Sequence, residues 1–170
     1  MNISKIDPWV DPSPSNANAM TLSKLRQNIK KKKPWAYQQL GLRYRVGGCG
    51  VKKSLKKAID NYKKGIKLGN PVCMNSLGVM YERSIGVATN AKLAFEHYQM
   101  GALKGYDIAQ NNLGDCYRVG RYVDQSNAKA REWYNRAVAQ GYENAIDALK
   151  RIDEEEKSEE EERQTIASTR

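Results

Sequence analysis

The sequence predicts an all-α solenoid of about three helix-turn-helix repeats of 36–37 residues, closed by a terminal capping helix. Three observations carry that expectation. Tyr62, Tyr98 and Tyr134 recur 36 residues apart, as do Ala58, Ala94 and Ala130, and Gly69, Gly105 and Gly141. Within each period the apolar residues fall at helical spacing rather than in the alternation of a strand. Glycine-containing breaks divide each period into two short helical patterns. A repeat of that length cannot bury its own apolar face, so stacking against neighbours supplies the core.

Taken in order, residues 1–20 are rich in Asn, Ser and Pro with little to bury, and a disordered N-terminal arm is expected. Asp7, Pro8, Asp11, Pro12 and Pro14 stand where a secretory signal needs a positive start and an apolar core, so no such signal is expected. Residues 21–33 form a basic helix with Thr21 or Ser23 as its cap and Leu22, Leu25 and Ile29 on one face. Pro34 ends it. The run Lys30–Lys33 reads as a solvated helix end, a nuclear import signal or a phosphate-binding patch.

The repeats then occupy 34–70, 71–106 and 107–142. In each first helix a small residue (Ala36, Cys73, Ala109) precedes Leu-Gly (Leu40-Gly41, Leu77-Gly78, Leu113-Gly114), and Tyr44, Tyr81 and Tyr117 follow. Positions i, i+4, i+5 and i+8 share one helical face. Glycine inside a helix costs about 1 kcal/mol, so these glycines are expected where two helices approach closely. Ser54, Asn90 and Ser126 are good caps for the second helices. The second helix of the first repeat places Leu55, Ala58, Ile59, Tyr62 and Ile66 on one face, with Lys56, Lys63, Lys64 and Lys67 opposite. Gly69, Gly105 and Gly141 suit left-handed helix ends. A fourth unit starts with Ala145 and Leu149, but Lys150 holds the packing-glycine position. Residues 143–152 are therefore expected to cap the stack, and the acidic tail 153–170 to be a solvated extension or disordered.

Leu77-Gly-Val-Met-Tyr81 with Lys92-Leu-Ala-Phe-Glu-His-Tyr98 and Gly105, and Ala109-Gln-Asn-Asn-Leu-Gly-Asp-Cys-Tyr117 with Lys129 to Ala137 and Gly141, resemble the Sel-1-like repeat. That family is a subgroup of tetratricopeptide-like helical hairpins. The resemblance spans about Trp35 to Leu149 and implies a right-handed α-α superhelix whose concave groove binds peptides or partner proteins. Departures lie at Ser84 and at Arg121-Tyr122 in the turns, and at Gly65 and Gly101 in place of a helix Ala. Secreted relatives that bind β-lactams depend on paired cysteines in each repeat, and this chain lacks that pairing.

Cys49, Cys73 and Cys116 are an odd number without paired spacing, which argues against a disulfide framework and for a reducing compartment. His97 is the only histidine, so no Ser-His or Cys-His pair, metal site or cofactor site is expected. No apolar run reaches the roughly 18 residues of a membrane span. The +10 net charge is uneven: residues 21–70 hold 15 Lys+Arg against one Asp, and residues 152–170 hold three against eight acidic residues.

The function expected is a non-catalytic protein–protein interaction module, an adaptor or scaffold, monomeric and cytoplasmic with the nucleus as alternative. Gln38, Gln39, Asn75, Ser76, Asn111 and Asn112, one and two before each Leu, are the candidate groove contacts. The alternative is RNA or another polyanion on the Lys-rich first repeat, through Lys52, Lys53, Lys56, Lys63, Lys64 and Lys67 with Lys30–Lys33, Arg43, Arg45 and Lys57 nearby. The acidic tail could also fold back to mask that basic unit.

Overall fold

The computed structural model describes residues 21–168, so the arm expected at 1–20 lies outside the described residues. Among them are eight helices: α1 (Leu22–Lys30), α2 (Pro34–Val46), α3 (Leu55–Lys67), α4 (Pro71–Glu82), α5 (Ala91–Leu103), α6 (Asp107–Val119), α7 (Asn127–Val138) and α8 (Glu143–Ser168). The hairpins α2/α3, α4/α5 and α6/α7 are the three repeats. Second helices start as their caps require: Ser54, Asn90 and Ser126 accept from the backbone N–H of Lys57, Leu93 and Lys129. Thr21 caps α1, and Asn70, buried, caps α4 through Cys73 N–H at 3.1 Å.

Each repeat is locked by one tyrosine. Tyr62, Tyr98 and Tyr134 are at most 1% exposed. Their rings lie on Gly41, Gly78 and Gly114, where an added Cβ would stand 2.5, 2.7 and 2.6 Å from the ring carbon Cε1. The expected close approach of two helices at these glycines is thus the seat of a ring, whose burial stabilises by about 2–3 kcal/mol. Ala36, Cys73, Ala109 and Ala145 are fully buried where each first helix crosses the helix before it. Gly65 and Gly101 belong to that crossing: a Cβ on Gly65 would meet Cys73 Sγ at 2.3 Å, and one on Gly101 would meet Ala109 Cβ at 2.9 Å. They weaken helix propensity but admit the next repeat.

The turn departures also have a geometric account. Gly47, Ser84 and Gly120 share one left-handed turn position, and Cys49, Gly86 and Tyr122 share a second, all at positive φ. Cys49, Ser84 and Tyr122 hold a positive φ without being glycine, at a small cost. Ser84 helps offset it by donating from Oγ to Val87 C=O at 3.1 Å, and Tyr122 lays its ring against Phe95.

α1 is more than a basic helix. Shifted by 37, Leu25 falls on Tyr62, Lys32 on Gly69 and Lys33-Pro34 on Asn70-Pro71. Leu25 is fully buried, and Lys32 takes the left-handed conformation (φ 53) of Gly69 (φ 80). α1 therefore holds the register of a second helix of the unit before the first repeat, just as α8 holds that of a first helix after the third.

At the other end, the capping helix does not stop near residue 152. α8 continues for 26 residues, so the acidic tail is its helical extension as far as Ser168. Ion pairs hold the first turn beyond Ile152: Arg118 to Glu155 at 2.9 Å, and Arg131 to Asp153 and Glu156 at 2.6 and 2.7 Å. Helix-favouring Glu residues with i,i+4 pairs such as Lys157–Glu161 carry it further. α8 packs on α7 and α6 alone, so the described part of the tail does not mask the basic first repeat.

Candidate functional site

The first helices α2, α4, α6 and α8 touch one another in succession, whereas α1, α3, α5 and α7 do not. Contact on one side and separation on the other bends the stack toward the first helices, which makes their shared face the inner one. The candidate groove residues lie there, and more deeply than a freely solvated face would hold them. Asn75 and Asn111 are buried; Gln38, Gln39, Ser76 and Asn112 are half-buried.

These side chains form a polar line across repeats. Asn112 Nδ2 donates to Asn75 Oδ1 at 2.8 Å, linking α6 to α4. Asn111 Nδ2 donates to Asp115 Oδ2, while its buried Oδ1 has no hydrogen-bond partner. Asp115 Oδ1 accepts from Tyr134 O–H at 2.7 Å. Burial raises the Asp115 carboxyl above its usual value, with the Tyr134 hydrogen bond and Arg118 pulling the other way. In the middle repeat, Tyr98 O–H donates to Glu82 Oε2 at 2.8 Å, and Glu82 also pairs with Arg121. Glu82, Arg83, Asn112, Asp115, Arg118, Val119 and Arg121 line a polar pocket of about 260 Å³.

Glu82, Asp115, Arg118 and Arg121 were not among the residues expected from sequence. A signal for part of this set was present. Arg45, Glu82, Arg118 and Glu155 fall at successive spacings of 37, 36 and 37, so one register carries alternating charge up the first helices. The last two form the 2.9 Å ion pair.

On the basic surface, Lys52, Lys53, Lys56, Lys63, Lys64 and Lys67 are all exposed. Arg43 does not belong with them: it is 7% exposed and turned into the fold. Arg45 is half-buried beside Tyr62. Cys73 and Cys116 are buried, and burial pushes both thiols up to about 12, far from a reactive thiolate. Among the described residues, no three of His, Cys, Asp and Glu gather as metal ligands, and no helix is long and apolar enough to cross a membrane.

A curved stack of helical hairpins with a polar inner face defines the class: a superhelical repeat protein. The chain belongs to the Sel1 repeat family, whose repeat matches residues 36–70, 71–106 and 107–142. Members of this family are generally protein-interaction modules and typically non-catalytic scaffolds. Among solved structures, it is similar to a Sel1 repeat protein from Oxalobacter formigenes, with 32% identity and a TM-score of 0.70 over 76% of this chain and 96% of that one. It is also similar to c5321, a protective antigen of uropathogenic Escherichia coli strains with an SLR fold, at 28% identity and a TM-score of 0.69. That match covers 76% of this chain and 28% of the antigen. Cysteine-rich protein B of Helicobacter pylori shares the fold at 20% identity and a TM-score of 0.58, over 76% of this chain and 98% of its own. No curated protein matches the chain in sequence.

Proposed function

We propose that this chain is a non-catalytic adaptor that binds an extended segment of a partner protein along the inner face of α2, α4 and α6. The observation that carries this reading is the polar line there: the Asn75–Asn112 pair, the free acceptor of Asn111 and the pocket between the ends of α4 and α6. Amide side chains held by their neighbours present a donor and an acceptor at fixed positions, which suits a peptide backbone. Losing a hydrogen bond to a preorganised amide costs about 1 kcal/mol.

Affinity capture with the wild-type chain and with Asn75→Ala/Asn112→Ala tests it. The expected result is loss of the same specific partners in the double variant, which still unfolds cooperatively above the assay temperature, with no effect of nuclease on the wild type. Retention of every partner by the variant would exclude the groove.

The exposure of all six candidate lysines, none of them in an ion pair among the described residues, supports a polyanion as the second reading. Partners lost on nuclease treatment, with binding that falls steeply with salt, would favour it.

A further inference from the structure

A different face of the first repeat carries a cleft of about 510 Å³, within the roughly 300–1,000 Å³ usual for ligand sites. Its floor is the Tyr37, Leu40 and Tyr44 face of α2, and α1 and α3 are its walls. The cleft has a cause in the sequence. Asn61 lines it, and the same register holds His97 in the second repeat and Trp133 in the third. His97 lies flat on Tyr81, ring centroids 5.7 Å apart and planes within 6°; Tyr81 is the counterpart of Tyr44. The His97 ring therefore lies against α4, and the charge of Lys63 on α3 adds to the lowering of its pKa. Trp133 packs into the core that Tyr117, the third counterpart, also joins, and Arg136 stands 4.4 Å from its ring. Asn61 has no ring, and its amide turns back to Lys57 C=O at 2.7 Å. The seat beside Tyr44 matches the one His97 fills beside Tyr81 but is not filled by a ring from its own chain position.

The rim has a definite charge. Arg26, Lys30, Lys57 and Lys64 surround the opening, against Asp60 alone. Lys57 already stands 5.4 Å from the Tyr44 ring centre, so a second ring there would meet both an aromatic face and a cation.

We propose that this cleft receives one aromatic side chain of an acidic segment in a partner protein. The ring takes the seat that His97 occupies in the second repeat, and flanking carboxylates meet Arg26, Lys30, Lys57 and Lys64. The site is separate from the polar inner face, because it uses the Tyr37-Leu40-Tyr44 side of α2 and not the Gln38-Gln39 side.

The test is fluorescence anisotropy of the full chain with a labelled Glu-Glu-Trp-Glu-Glu peptide and its Glu-Glu-Ala-Glu-Glu analogue. The Trp peptide is expected to bind about tenfold more tightly than the Ala peptide. Asn61→Trp, which reproduces the third repeat, should remove that difference. Lys57→Glu/Lys64→Glu should weaken the Trp peptide by about tenfold or more, and Lys52→Glu/Lys53→Glu should leave the Trp preference intact. Should Asn61→Trp lower the unfolding midpoint, Asn61→His, which reproduces the second repeat, makes the same comparison. Absence of binding at low salt, equal binding of both peptides, or an unchanged Trp preference when the seat is filled would overturn the proposal. The chain itself holds Trp9 between Asp7 and Asp11. A full-length Trp9→Ala variant that binds the Trp peptide about tenfold more tightly than wild type would make that segment the occupant, and the partner assignment would fall.

Discussion

His97 shows how one register position can take different chemical roles along a stack. The imidazole is half-buried and stacked on Tyr81, with a buried Nδ1 that has no hydrogen-bond partner. Burial lowers its pKa below the ordinary 6.5; Glu96 opposes and Lys63 adds to the shift. A lowered histidine pKa means that the unfolded chain binds more protons within the shifted window. The associated stability is therefore fully present above 6.5 and is lost as pH falls below it. Urea unfolding of wild type and His97→Gln across pH should show the stability difference shrinking on acidification. A pH-independent difference would mean the ring titrates as it does in the unfolded chain. The groove residues illustrate what residue-level reading misses. Asn75 and Asn111 were legible as polar positions beside each Leu, but their burial depends on the neighbouring helix, which no local pattern reports.

Between elements, the recurring Leu-Gly pair is the most informative feature. Its spacing marked a close approach, and the partner proves to be the buried tyrosine of the second helix in the same hairpin. Gly78→Ala puts the sign of that inference to the test. Alanine gains about 1 kcal/mol in helix propensity, yet its Cβ would stand 2.7 and 2.8 Å from the Tyr98 ring and 3.2 Å from Ala94 C=O. Overpacking of about 1–3 kcal/mol should prevail, and the urea midpoint should fall. A raised midpoint would show that the ring can move aside. Helix starts were readable because a cap is a local contact, Ser54, Asn90 and Ser126 being examples. The end of α8 was not readable, because Asp153, Glu155 and Glu156 depend on Arg118 and Arg131 from two other helices.

At the scale of the molecule, the described residues open on α1, in the register of a second helix, and close on α8, in the register of a first helix. Both helices cover the apolar surface of the repeat next to them. Leu25 fills the Tyr62 register at one end, and Ala145, Ala148 and Ile152 pack on α7 at the other. The two halves of α8 should therefore contribute unequally. Truncation after Lys157 keeps the packed segment and the ion pairs to Arg118 and Arg131, and should leave the unfolding midpoint near that of wild type. Truncation after Arg151 also removes the buried Ile152 side chain and should cost about 2 kcal/mol or more. Equal midpoints for the two truncations would show that Ile152 adds little.

The 36-residue period, the apolar faces and the caps are properties of neighbours along the chain, and the sequence alone determined the hairpin stack from them. Only the tertiary structure decided which polar residues the stack draws inward, that α1 holds the register of a second helix, and that Asn61 leaves a basic cleft where His97 places a ring in the next repeat. The reason is physical: burial, ion pairing and the filling of a seat between helices depend on side chains brought together across repeats. A repeat period predicts that such meetings occur; the individual residues at each register decide whether they end in a packed ring, a polar line or an open cleft.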